Sequence, residues 1–239
     1  MTDNKPLSGK LALVTGASRG IGASTAEALA KAGAHVILVA RTTDAIEKVE
    51  ERIHEAGGSA TIAPLDLTQG EGIGKLASAV AERWKALDIL VLNAATLGSL
   101  TPVEHIDAKE YARILTLNVS APQALIAAFD PMLRQAERAD VVAITSSVGH
   151  QPRAFWGAYG SSKAALENLA LTYADETERL GKVRVHVVDP GATRTRMREL
   201  AFPGEEPDSV KPPEIVADFI VERLLSDAPT GELVRVDQA

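Results

Sequence analysis

Short apolar runs recur along the chain, separated by longer stretches in which apolar positions return every three or four residues. Lys10–Thr15, His35–Ala40, Ser59–Leu65, Asp88–Asn93, Asp140–Thr145, Val183–Val188 and Leu233–Val236 read as buried strands. Ala23–Ala32, Thr42–Gly57, Gly70–Leu87, Tyr159–Leu180 and about Pro213–Leu225 read as helices. The long helical region Asp107–Glu137 is expected to be broken, with Asn118 at its middle. Strands alternating with helices imply βαβ units, hence an α/β fold with a doubly wound parallel sheet of seven strands and helices on both faces. Arg194–Pro213 has little apolar periodicity and reads as a lid-like loop with a short helix. No linker divides the chain, so residues 1–239 are expected to form one domain.

Composition narrows the class. The chain has 239 residues, 46% hydrophobic and 24% charged, which suits a globular domain. A net charge of −7 argues against a nucleic-acid partner, whose phosphates require a basic face. There is no Cys, which removes disulfides and thiolate chemistry. Met1–Lys10 lacks the apolar core of a signal peptide, and no apolar run approaches the roughly 20 residues that span a bilayer. The expectation is a cytoplasmic protein with no membrane contact.

The first strand runs into Gly16-Ala-Ser-Arg-Gly20-Ile-Gly22 and then a helix. Small residues between a strand and a helix let backbone approach a pyrophosphate, and the helix N-terminus supplies N–H groups and a partial positive charge. Gly16, Ser18, Arg19, Gly20, Ile21 and Gly22 are therefore candidate cofactor residues. In a dinucleotide-binding fold, the end of the second strand meets the adenosine ribose. An acid there selects NAD, whereas Arg accommodates the 2′-phosphate of NADP. Ala40 and Arg41 stand there without an acid, and Arg19 lies nearby, so NADP is expected over NAD. Tyr159 and Lys163 are spaced i, i+4 and project from one helical face. An ammonium beside a phenol is expected to lower the phenol's pKa and fit it for acid–base work on a carbonyl or alcohol.

With Thr15–Gly22, Asn118, Ser146 and Tyr159–Lys163 in order, the chain resembles the short-chain dehydrogenase/reductase family. The resemblance runs from about Leu7 to the C-terminus. It implies a Rossmann-like domain and reversible hydride transfer between a nicotinamide and a small-molecule carbonyl or alcohol. It implies further that Tyr159 is the general acid/base and that Lys163 assists it and holds the nicotinamide ribose. Ser146, rather than Ser147, orients the carbonyl, and Asn118 holds a relay water. Asp66 and Leu67 resemble the pair that meets the adenine, and Pro190, Gly191, Thr193 and Thr195 the segment that fixes the nicotinamide amide. Asn93 and Ala94 belong to the turn beside the adenine ribose. There the family's Asn-Asn-Ala-Gly is replaced by Leu92-Asn-Ala-Ala95, which is expected to narrow the space. The tail Val236-Asp-Gln-Ala239 departs from the family's Val-Asp-Gly-Gly, so a homodimer or homotetramer is implied without a choice between them.

His150, Gln151, Arg153, Phe155 and Trp156 fall where the family lines its substrate cleft, and Arg194, Arg196 and Arg198 open the lid. These residues either form a basic, aromatic-edged pocket for an acidic substrate or are solvated loop residues. The same motifs leave open the use of NAD, or a cofactor-binding redox sensor with little turnover.

Overall fold

Successive strand residues face opposite sides of a sheet, and in this protein both sides are apolar. Leu11 and Leu13 join a core on one face, while Ala12 and Val14 join a second core on the other. That pattern requires helices on both sides, because a parallel sheet cannot leave a face in water.

The computed structural model describes residues 5–179 and 181–237. The expectations that touch residues 1–4, Leu180 and residues 238–239 lie outside them. Seven parallel strands, in the order β3-β2-β1-β4-β5-β6-β7, are β1 Leu11–Thr15, β2 His35–Ala40, β3 Ser59–Pro64, β4 Ile89–Leu92, β5 Ala139–Ile144, β6 Val183–Asp189 and β7 Glu232–Arg235. Helices α1 (Gly20–Lys31), α2 (Thr43–Glu55) and α9 (Pro213–Leu225) cover one face. The other is covered by α3 (Gly70–Arg83), α5 (Ala121–Gln135) and α7 (Gly157–Glu178). Shorter helices are α4 (Ala108–Leu115), α6 (Ser147–His150) and α8 (Arg196–Ala201).

The expected break at Asn118 is a π turn, Thr116–Ser120, joining α4 to α5. The continuous helix Ala108–Gln135 is long and apolar enough to cross a membrane by length and composition. This corrects the expectation that no segment qualifies. Its apolarity has another use here, since Leu125, Phe129 and Leu133 are packed inside the sheet–helix core.

Strand order reverses between β1 and β4, and there the carboxyl ends of the strands part to leave a crevice. Thr15 pins the two strands at that point. Its hydroxyl donates to the Val91 carbonyl (3.0 Å) and accepts from the N–H groups of Asn93 (3.0 Å) and Ala94 (3.1 Å).

Candidate active site

A cavity of about 370 Å³ opens over the carboxyl ends of the strands. Its floor begins with the turn from β1 to α1. Gly16 has φ +65°, and a Cβ there would fall 2.8 Å from Asn93 Nδ2. Gly22, one turn into α1, meets the Gly16 carbonyl so closely that no Cβ fits at all. Gly22 therefore acts beneath the cavity, by packing, while Gly16, Ser18, Arg19, Gly20 and Ile21 line it. No side chain caps the α1 N-terminus, so its first N–H groups are left for a ligand.

Arg41 and the following Thr42 line the same cavity as Arg19. Among the described residues neither arginine forms an ion pair, which leaves both guanidiniums available to an anion. A dinucleotide with a phosphorylated ribose fits this donor set: bare helical N–H groups at a glycine cradle, then two uncommitted guanidiniums. Leu67, Asn93, Ala94, Pro190, Gly191, Thr193 and Thr195 also line the cavity as expected. Asp66 does not. Its carboxylate turns back to accept from the Thr68 N–H (3.0 Å) and hydroxyl (2.7 Å), which holds it below its usual range, and Leu65 takes the place on the wall. Ala95 is part of the lining, where the family pattern has glycine.

Ser146, Tyr159 and Lys163 come together at the inner end, and Ser147 does not line it. Among the described residues neither the Ser146 hydroxyl nor the Tyr159 phenol has a hydrogen-bond partner. The indole of Trp156 meets the Tyr159 ring edge-on, with centroids 6.0 Å apart. Lys163 is buried, and its ammonium donates to the Ile144 carbonyl at 2.7 Å, at the end of β5.

That geometry corrects the expected Tyr–Lys coupling. Burial pushes the Tyr159 pKa up rather than down, and the Asp189 carboxylate adds to the rise. Burial also lowers Lys163 to about 8, against an opposing pull from Glu167. The ammonium lies over the Tyr159 ring, 5.7 Å from its centroid, while its hydrogen-bond partner is backbone.

Asn118 is fully buried and does not line the cavity. Its side-chain oxygen accepts from Thr96 N–H (2.9 Å), while its amide donates to the Thr96 carbonyl (2.9 Å) and Ser162 hydroxyl (3.0 Å). With both amide hydrogens committed, its role is to fasten the π turn to the loop after β4.

Of the expected substrate residues, only Trp156 lines the cavity. His150 turns inward to Glu167, Nδ1 to Oε1 being 3.1 Å. Arg153 lies over the rings of Phe202 (5.1 Å) and Trp156 (5.9 Å). Phe155 is 56% exposed, with φ +73°, and Gln151 is exposed as well. Of the lid arginines, Arg194 pairs with Asp208, while Arg196 and Arg198 line the cavity. Arg198 is already neutralised by a two-pronged contact with Glu205 and stacks on Phe202. The wall nearest Tyr159 is thus apolar, made by Leu97, Trp156, Met197 and Ala201. Arg196 is the one lid arginine that lines the cavity without an ion pair among the described residues.

Sequence reasoning missed Thr42, Leu97, Met197 and, behind the cavity, Glu167. The last carries a readable signal, since it continues the Tyr159–Lys163 stripe by one more turn of α7.

A family model described as short chain dehydrogenase matches residues 10–206. The Escherichia coli oxidoreductase YciK is 37% identical over 210 residues, which cover 87% of this chain and 82% of YciK. A short chain dehydrogenase of Shigella flexneri, solved complexed with NADP, matches with a TM-score of 0.92 at 34% identity, covering 98% of this chain and 99% of that one. One from Escherichia coli, complexed with NADPH, matches at 0.93 and 34%, covering 99% and 100%.

Proposed function

Because the chain belongs to the short chain dehydrogenase family and is an oxidoreductase of that type, we propose that it moves hydride between NADP(H) and a neutral carbonyl or secondary alcohol. The observation that carries this reading is a cavity lined both by Arg19 and Arg41, without an ion pair among the described residues, and by Ser146 and Tyr159, whose hydroxyls have no hydrogen-bond partner among them. Relatives solved with NADP and NADPH support the choice of nucleotide.

The nicotinamide, when bound, supplies or accepts the hydride, and the remaining work falls to residues of the chain. The Gly16–Ile21 turn and the α1 N-terminus hold the pyrophosphate. Arg19 and Arg41 hold the 2′-phosphate, Arg being suited to a planar, charge-assisted contact. Leu67, Asn93 and Ala94 meet the adenosine half. Pro190, Gly191, Thr193 and Thr195 meet the nicotinamide, and Tyr159 with Lys163 its ribose.

Tyr159 keeps its proton at neutral pH, because burial disfavours phenolate. It therefore stands as an acid, giving that proton to the carbonyl oxygen in the reductive direction. Ser146 donates a hydrogen bond to the same oxygen and stabilises the charge that develops on it. Lys163 returns a proton towards Tyr159. Asn118, by holding the π turn in place, sets the backbone there against which a relay water is held.

Leu97, Trp156, Met197 and Ala201 favour an uncharged, apolar carbonyl compound. The chain works as one cofactor-binding and catalytic domain, with the 194–213 segment as its lid, and as a homo-oligomer. The test is fluorescence titration with NADPH, then NADPH oxidation in the presence of 1-phenyl-1,2-propanedione. Saturable binding with turnover supports the proposal; binding without turnover on this and other neutral ketones shifts weight to a redox sensor.

A further inference from the structure

Ser146 lies on a turn whose two ends are tied to one buried side chain. Thr145, just before it, donates its hydroxyl to Glu167 Oε1. His150, which closes α6, places Nδ1 3.1 Å from the same oxygen. Glu167 is only 7% exposed, one helical turn beyond Lys163 and two beyond Tyr159 on α7.

Between its ends the turn lies flat on that helix. A Cβ on Gly149 would fall 2.5 Å from Glu167 Oε1 and 3.2 Å from the Lys163 carbonyl carbon. A Cβ on Gly160 would fall 2.8 Å from the Val148 carbonyl oxygen. One glycine on the turn and one on the helix let the two approach to backbone contact. The carboxylate then fixes where along the helix the turn sits. A buried carboxylate is costly unless its oxygens are satisfied, so the donors from both ends of the turn are held as firmly as the acid that binds them. Glu167 does not line the cavity, and its one electrostatic effect on the site is to oppose the fall in the Lys163 pKa.

We propose that Glu167 is a positioning residue that sets the Ser146 hydroxyl against Tyr159 by clamping residues 145 and 150 to the helix that carries Tyr159 and Lys163. This rests on the reading of Ser146 as the donor to the carbonyl oxygen. The clamp supplies what the turn lacks by itself, since among the described residues the Ser146 hydroxyl has no hydrogen bond to orient it.

The test is a double-mutant cycle, with NADPH and 1-phenyl-1,2-propanedione as probe. Glu167→Ala should lower kcat about tenfold or more while the NADPH Kd stays within about twofold, because a small misplacement of a catalytic group is expensive. Glu167→Gln keeps an acceptor for Thr145 and should retain most of kcat. In a Ser146→Ala background, at a pH well below the Lys163 pKa of about 8, Glu167→Ala should cost less than about twofold more, since with Lys163 charged in every variant both changes act through one hydroxyl. Amide hydrogen exchange of the nucleotide-free protein should quicken at 145–151 in Glu167→Ala and stay unchanged elsewhere. Should Glu167→Ala not fold, His150→Leu removes one tie at a half-exposed site, and its smaller kcat loss should likewise vanish in the Ser146→Ala background.

Equal losses from Glu167→Ala in both backgrounds would overturn the clamp and leave Ser146 in its role. Unchanged exchange at 145–151 would overturn it with or without turnover. Full kcat in Ser146→Ala alone would remove the reading of Ser146, and the clamp with it.

Discussion

The ammonium of Lys163 donates to the carbonyl oxygen of Ile144 at 2.7 Å, although Tyr159 lies one helical turn away on the same face. The lysine thus ties α7 to the end of β5 before any ligand arrives, and its charge is held at backbone. Both groups are desolvated, and each is pushed towards its neutral form.

A pH dependence follows. Burial lowers Lys163 from its ordinary 10.5 to about 8, so its charge is lost as pH rises through about 8. NADPH-dependent reduction should fall on the alkaline side of that value. The stability effect has the opposite sign. Between about 8 and 10.5 the unfolded chain binds more protons at this lysine than the folded one, so its destabilising contribution is relieved as pH rises. Glu167 opposes the shift, so Glu167→Gln should move the alkaline limb of kcat/KM to lower pH by about half a unit or more. A limb that stays in place, or moves up, contradicts the assignment.

Arg19 and Arg41 supply the nucleotide preference. Each to Ala should raise the NADPH Kd about tenfold or more, since a charge-assisted hydrogen bond contributes about 1.5–3 kcal/mol. NADH binding should change by less than about twofold. Isothermal titration of both nucleotides separates the two effects, and parallel losses would show that the arginines only support the fold.

Gly22→Ala carries a sign opposite to helix propensity. In an open helix the change gains about 0.5–1 kcal/mol. Here the Gly16 carbonyl occupies the space a methyl needs, so the substitution should destabilise by about 1–3 kcal/mol. It should also weaken NADPH binding by shifting the Gly16–Ile21 turn. Urea unfolding with a nucleotide titration measures both.

Arg198 is spoken for by Glu205, and this bears on substrate choice. Arg198→Ala should lower kcat/KM for a neutral aromatic ketone and its carboxylated analogue by similar factors, because it loosens the wall without removing a free charge. A selective loss on the carboxylate, seen in steady-state rates, would restore the acidic-substrate reading.

Far from the cavity, Asp140 accepts from Arg184 (2.8 Å) and from His186 Nε2 (2.9 Å). Arg223 donates to the other nitrogen of His186, so the ring is locked between them. Asp140→Ala leaves buried partners uncompensated and should cost about 3–5 kcal/mol in denaturant unfolding. NADPH affinity of the folded fraction should be unchanged.

How far the sequence could be read depended on how local each feature is. All seven strands were legible from short apolar runs, with no end displaced by more than one residue. Tyr159 and Lys163 shared a face because i, i+4 spacing is a property of the helix itself. Loop side chains were different. His150, Arg153 and Phe155 sit beside the cavity in sequence but turn elsewhere, towards Glu167, towards Phe202 and into solvent. Nothing within a few residues of them specifies those partners. Glu167 escaped notice for a related reason: a glutamate in a helix ordinarily reads as solvated. Its burial depends on Thr145 and His150 arriving from another element. The direction of the Tyr159 shift was misjudged because spacing reports a neighbour's charge but not desolvation.

The most direct test of the account is single-turnover NADPH oxidation by Tyr159→Phe beside the unsubstituted protein, on a neutral ketone that the latter reduces. The variant should bind NADPH within about twofold and lose about 10²–10⁴-fold in rate, since it lacks only the proton that the phenol delivers. A variant that binds NADPH and turns over at the original rate would contradict Tyr159 as the acid, and with it the chemistry assigned to the cavity.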